Sequence, residues 1–107
     1  MDDLEKAKLT QVFNQFAGLA FPVTEETFVQ KGKTGLHYRL VNDQDPVLVA
    51  MVEAAQAQDA GLFVQLPIGI GYTFGDDHAK YDIHAQLEKD KDGTFRVSKT
   101  FEIKPKS

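Results

Sequence analysis

The chain has no cysteine and no tryptophan. Without cysteine there is no disulfide, no thiol nucleophile and no cysteine-based zinc site. That lack fits a reducing cytosol, so a soluble, cytoplasmic protein is the expectation. No apolar run approaches the roughly 20 residues that a membrane helix needs. The opening residues, Met1-Asp2-Asp3-Leu4-Glu5, are acidic and are not expected to be a signal peptide. A basic block is missing too. Twelve Lys and Arg stand against 16 Asp and Glu, for a formal net charge of −4. The electrostatic footprint of a nucleic-acid binder is therefore absent, and an acidic membrane surface is an equally poor partner.

What is there suits a folded core. Of 107 residues, 42% are hydrophobic and 26% charged, too apolar a balance for disorder. Eight Phe and three Tyr supply the bulk. No repeat, linker or low-complexity stretch interrupts the chain, and one domain over 1–107 is expected.

Residues 3–20 read as an amphipathic helix, with Leu9, Val12, Phe13, Phe16 and Ala20 on one stripe. Pro22 bars its continuation. Residues 26–41 read as a hairpin around the basic turn Lys31-Gly32-Lys33-Thr34-Gly35. A second helix has Asp45 as N-cap, Pro46 at its first position, a breaker-free run from Val47 to Ala60, and Gly61 to close it. Three strands follow, at about 62–74, 79–89 and 94–104. The predicted class is α+β, in the order α-β-β-α-β-β-β. Two helices cover one face of a mostly antiparallel sheet of four to five strands. The connection from the strand at 36–41 through the second helix is a candidate crossover that would make the sheet mixed.

Side-chain parity predicts how the last three strands pair, because directly opposed residues share a face. Val64, Leu66, Ile68, Ile70, Tyr72 and Phe74 are apolar and even-numbered, whereas Tyr81, Ile83, Ala85 and Leu87 are apolar and odd-numbered. A two-residue turn at Asp76-Asp77 then sets Ile70 opposite Ile83. The last strand carries Phe95, Val97, Phe101 and Ile103, also odd. A three-residue loop, Lys91-Asp92-Gly93, with Gly93 in the left-handed conformation, sets Leu87 against Val97, Glu88 against Arg96 and Ile83 against Phe101. Phe16, Leu48, Val52, Ile70, Ile83 and Phe101 are expected in one core.

The opposite face of that sheet is the candidate functional surface. The expected register places Gly71 beside Asp82, Gly69 beside His84, Thr100 facing His84 and Glu102 facing Asp82. Glycines inside a strand mark a bend, a bulge or a close approach. Gly69 and Gly71, walled by Asp82, His84, Thr100 and Glu102, would form a shallow trough. Either the glycines let a long strand coil over the helices, or a ligand, a partner segment or the protein's own chain packs there.

Asp82 and His84 stand two residues apart on one strand, about 7 Å at the backbone. That spacing suits a divalent metal, with Glu102 as a third ligand. It is also what any solvated strand face offers, and Lys80 and Lys104 are placed to neutralise the two acids. No metal and no cofactor are expected. His37 and His78 read as surface histidines. The Gly-x-Gly of Pro67-Ile68-Gly69-Ile70-Gly71 precedes no helix, so it is no dinucleotide fingerprint. Glu88-Lys89-Asp90-Lys91-Asp92 lacks the full ligand pattern of a calcium loop. Ser98 falls two residues from the position opposite His84, and no nucleophile elbow is present.

No catalytic set stands out. The expectation is a small non-catalytic binding protein, with a protein partner or a second copy as homodimer, acting through the open sheet face or an edge strand. The alternative is a metal- or small-ligand-binding protein using Asp82, His84 and Glu102. An enzyme is the less favoured class.

Overall fold

The computed structural model describes residues 3–42, 44–68, 71–75 and 79–105. Its class is α+β, and the order of helix, hairpin, helix and strands is as read from the sequence. Helix α1 spans Asp3–Phe13 and a 3-10 turn follows at Asn14–Phe16. The helical stripe thus ends earlier than Ala20. Gly18 takes a positive φ of 79°, and the chain then turns to pair with a strand edge.

The hairpin consists of β1, Val23–Gln30, and β2, Lys33–Leu40. It forms a two-stranded sheet of its own, so no crossover joins it to the main sheet. Lys31 and Gly32 make the two-residue turn, both at positive φ (53° and 77°), as the twist of a tight hairpin requires. Tyr38 anchors the base, buried edge-on against Phe95 with ring centroids 5.0 Å apart.

Helix α2 spans Pro46–Ala57. The Asp45 carboxylate accepts from the Val47 and Leu48 amides (2.8 and 3.4 Å), the cap that the sequence predicts. Gly61 does not close this helix. Gln58 and Asp59 do, Asp59 at a φ of 53°, and Gly61 already belongs to the next strand.

The main sheet has four strands: β3 at Ala60–Gln65, β4 at Gly71–Phe74, β5 at Tyr81–Lys89 and β6 at Phe95–Pro105. They lie in the order β4-β3-β5-β6. The strand expected over 62–74 is therefore a hairpin, with Gln65 opposite Gly71 and Leu62 opposite Phe74. Strand β5 pairs with β3, and in parallel, setting Leu62 against Ile83 and Val64 against Ala85. That is the source of the mixed sheet. Gly75, just after β4, lies close against the start of β3, where a Cβ on it would come within 3.3 Å of the Gly61 Cα.

Between β5 and β6 the odd-numbered loop holds. Gly93 has a φ of 86°, Leu87 opposes Val97 and Glu88 opposes Arg96. Beyond that point the register moves. From Leu87 to Ala85 is two steps on β5, while from Val97 to Phe101 is four on β6. This bulge keeps parity but slides the partners by two, so Ile83 meets Ile103 instead of Phe101. The Ser98 hydroxyl, buried in the bulge, accepts from the Thr100 amide at 3.3 Å.

The core joins Leu9, Phe13 and Phe16 with Leu48, Met51 and Ala55, and both groups with Leu62, Val64, Ile83, Ala85, Leu87, Val97 and Ile103. The helical cover is uneven: α2 packs against β3, while α1 and its 3-10 turn pack against β6. Of the six expected core residues, Phe16, Leu48 and Ile83 are buried. Val52 and Phe101 are half-buried against the core, and Ile70 lies outside the described residues. None of the described helices is long and apolar enough to cross a membrane.

Candidate functional site

Because β3, and not the 66–74 segment, adjoins β5, the open face of the main sheet differs from the trough expected. Gly61, not Gly71, lies beside Asp82, and Phe63, not Gly69, lies beside His84. Gly69 itself is outside the described residues. The two-residue slide at the bulge sets Glu102 opposite His84 and Lys104 opposite Asp82, in place of Thr100 and Glu102. One row across the face therefore runs Thr73, Phe63, His84, Glu102. Its neighbour runs Gly61, Asp82, Lys104.

Gly71 has a direct explanation. A Cβ there would collide with the Phe63 ring, which lies across it. The space left by the glycine is filled by the protein's own aromatic side chain. The Phe63 ring in turn packs against the His84 imidazole, with centroids 5.1 Å apart at 48°. Beside this pair a groove of about 320 Å³ is lined by Phe63, Gln65, His84, Gln86, Thr100 and Glu102, together with Ala85 and Phe101. The structure thus gathers His84, Thr100 and Glu102 into one surface, with Gly71 and Asp82 at its margins.

Phe63 is the residue that strand parity left unremarked. It is a bulky aromatic on the polar parity of its strand, and that mismatch is the signal.

The chemistry of this face is modest. Glu102 pairs with Lys104 at 3.4 Å. Among the described residues no three His, Asp or Glu side chains are grouped to hold a metal ion. The Ser98 hydroxyl makes its contacts with Thr100. What the face offers is an aromatic–imidazole pair flanked by two amides, a hydroxyl and a carboxylate.

A second surface lies on the hairpin. On one face Glu26 accepts from Arg39 Nε and Nη2 (3.0 and 2.6 Å) and pairs with His37 Nε2 at 3.0 Å. Hydrogen bonding from Arg39, then from His37, holds the Glu26 carboxyl below its ordinary value. Further out, the Phe28 ring covers Gly35 and adjoins His37. On the other face Val23 and Leu40 pack on the core, but Val29 and Leu36 run on past it. Phe28, Val29 and Leu36 are 40%, 75% and 41% exposed. Lys89 reaches back from β5 to pair with Glu25 near the base, which raises the Lys89 pKa above its usual value.

No family model, no curated protein and no solved structure matches this chain.

Proposed function

We propose that this is a non-catalytic binding protein that engages a protein partner, or a second copy of itself, along the distal half of the β1–β2 hairpin. The observation that carries this reading is the exposure of Phe28, Val29 and Leu36 on a ribbon of two strands. A two-stranded hairpin is marginal alone, and exposed apolar side chains on both its faces mark a contact surface. Among the described strands none pairs with its outer edges, and such an edge is the template for strand addition.

The test is a double substitution, Val29→Asp with Leu36→Asp. Both side chains lie beyond the core, so the melting temperature should stay within roughly 4 °C of the parent. Cross-links from the hairpin to other polypeptides, mapped in the cells that make the protein, should disappear. If they persist unchanged, the hairpin is not the contact surface.

A second reading is a small polar ligand held on the open face. It is favoured by the groove of about 320 Å³ in which Phe63, His84, Gln65 and Gln86 converge. In that case Gly71 and Asp82 are boundary residues, and His84, Thr100 and Glu102 the contacts. Binding that survives His84→Ala would remove this reading.

A further inference from the structure

We infer that the hairpin's partner is a second copy of this chain. Each hairpin tip seats on the free edge of β4 and in the groove beside α2 of the other copy, reciprocally. This rests on the hairpin reading above and adds to it the identity of the partner and the surface that receives it.

The receiving surface has three features. Strand β4 is the outermost strand of the main sheet, so among the described strands none pairs with its outer side. Beside it a groove of about 350 Å³ is lined by Leu48, Val49, Val52, Glu53 and Phe74. Four of those five side chains are apolar, and the fifth is an acid. Among the described residues Glu53 makes no ion pair.

The hairpin tip has the complement of each. Toward the turn, no third strand among the described ones pairs with the outer side of β1 or β2. Val29 opposes Thr34 and Leu36 opposes Thr27, so Val29 and Leu36 share one face. Lys31 and Lys33 stand at the turn, and among the described residues neither makes an ion pair. Strand addition takes affinity from backbone pairing and specificity from a pocket for alternate side chains. Here the edge supplies the pairing, the groove takes the Val29 and Leu36 face, and Glu53 meets the lysines. A four-residue edge is a small contact alone. Two-fold exchange doubles it and closes the assembly without leaving an open end.

The experiment is analytical ultracentrifugation of the purified full chain across a concentration series, with two charge-reversed variants. The parent should sediment at twice the chain mass. Glu53→Lys alone, and Lys31→Glu with Lys33→Glu alone, should each weaken the dimer about tenfold or more, because two like-charged contacts replace two opposite ones. An equimolar mixture of the two variants should recover parental association, since both contacts in the mixed dimer are again of opposite sign. Damage to folding would not produce that rescue. A monomer at every concentration, or a dimer indifferent to both reversals, overturns the inference. If the purified chain is monomeric yet its hairpin still cross-links to another protein in cells, self-pairing fails and the contact reading stands. If neither occurs, both fail.

Discussion

The two sheets repeat one arrangement: a phenylalanine ring over a glycine, with a histidine ring beside it. In the hairpin these are Phe28, Gly35 and His37, with the aromatic centroids 5.4 Å apart. In the main sheet they are Phe63, Gly71 and His84, at 5.1 Å. The glycine faces the ring directly across the hairpin, and lies two pairs further along, diagonal to the ring, in the main sheet. What lies behind the two differs more. Behind Phe63 are Leu62 and Val64, both fully buried. Behind Phe28 are Val29 and Leu36, both exposed. Packing a ring onto a glycine across strands gives a short edge some cohesion without a core. In the main sheet it adds to a core; in the outer hairpin it stands in for one.

The largest test of that contrast is truncation behind each ring. Ile83, fully buried and beside Leu62 on the core face, should cost about 2 to 5 kcal/mol as Ile83→Ala, read by chemical denaturation. Leu36→Ala should cost less than about 1 kcal/mol, since little cavity opens at an exposed site. Equal losses would mean that the hairpin tip belongs to the cooperative core.

A smaller effect is expected at the glycines. Gly71→Ala drives a Cβ into the Phe63 ring, which the His84 imidazole backs from the other side. The cost should be about 1 to 3 kcal/mol. Gly35→Ala meets the Phe28 ring, which is 40% exposed and free to swing outward. There the loss of unfolded-chain entropy offsets the crowding, and stability should change by less than about 0.5 kcal/mol. A neutral Gly71→Ala would show that Phe63 does not need the space.

The legible and illegible parts of this fold divide along local and non-local lines. The Asp45 cap, the two helices, the basic hairpin turn and the Gly93 loop each depend on neighbours in sequence. The β3–β4 hairpin was hidden by arithmetic. Gln65 opposes Gly71, so an odd number of residues connects them, and apolar parity runs unbroken from Val64 to Phe74. Periodicity cannot tell that pattern from one long strand. Length could have told it, since 13 residues would span about 43 Å where strands usually have about 5 or 6 residues. So could Pro67, which is out of place in a central strand. The bulge at Ser98–Thr100 was silent for the same reason: two extra residues preserve parity while sliding the partners. His84, Thr100 and Glu102 were still gathered on one surface, because parity sets the face even where register is wrong. Their neighbours depended on register, and there Phe63 and Lys104 replaced the expected Gly69 and Glu102.

The smallest expected effect is an acid-induced loosening confined to the hairpin. Glu26 ties β1 to β2 through Arg39 and His37, and its carboxyl lies below the ordinary value of 4.5 because of those partners, Arg39 foremost. A lowered carboxyl pKa means that the charged form is preferred in the folded hairpin. Its contribution is complete above 4.5 and is lost as the pH falls through the lower, folded value. Protonation of Glu26 leaves the Arg39 guanidinium without its carboxylate partner. In the main sheet Glu102 pairs with Lys104, two residues along its own strand. Amide resonances of Glu26, His37 and Arg39 should therefore titrate together with a midpoint below 4.5, while those of Phe63 and Leu62 keep their positions through the same transition. Glu26→Gln should abolish the shared midpoint and leave the global melting temperature nearly unchanged, because the tie is exposed and screened. Hairpin resonances that stay flat through that range, or that titrate equally in Glu26→Gln, would show that the ion network does not hold the two strands together.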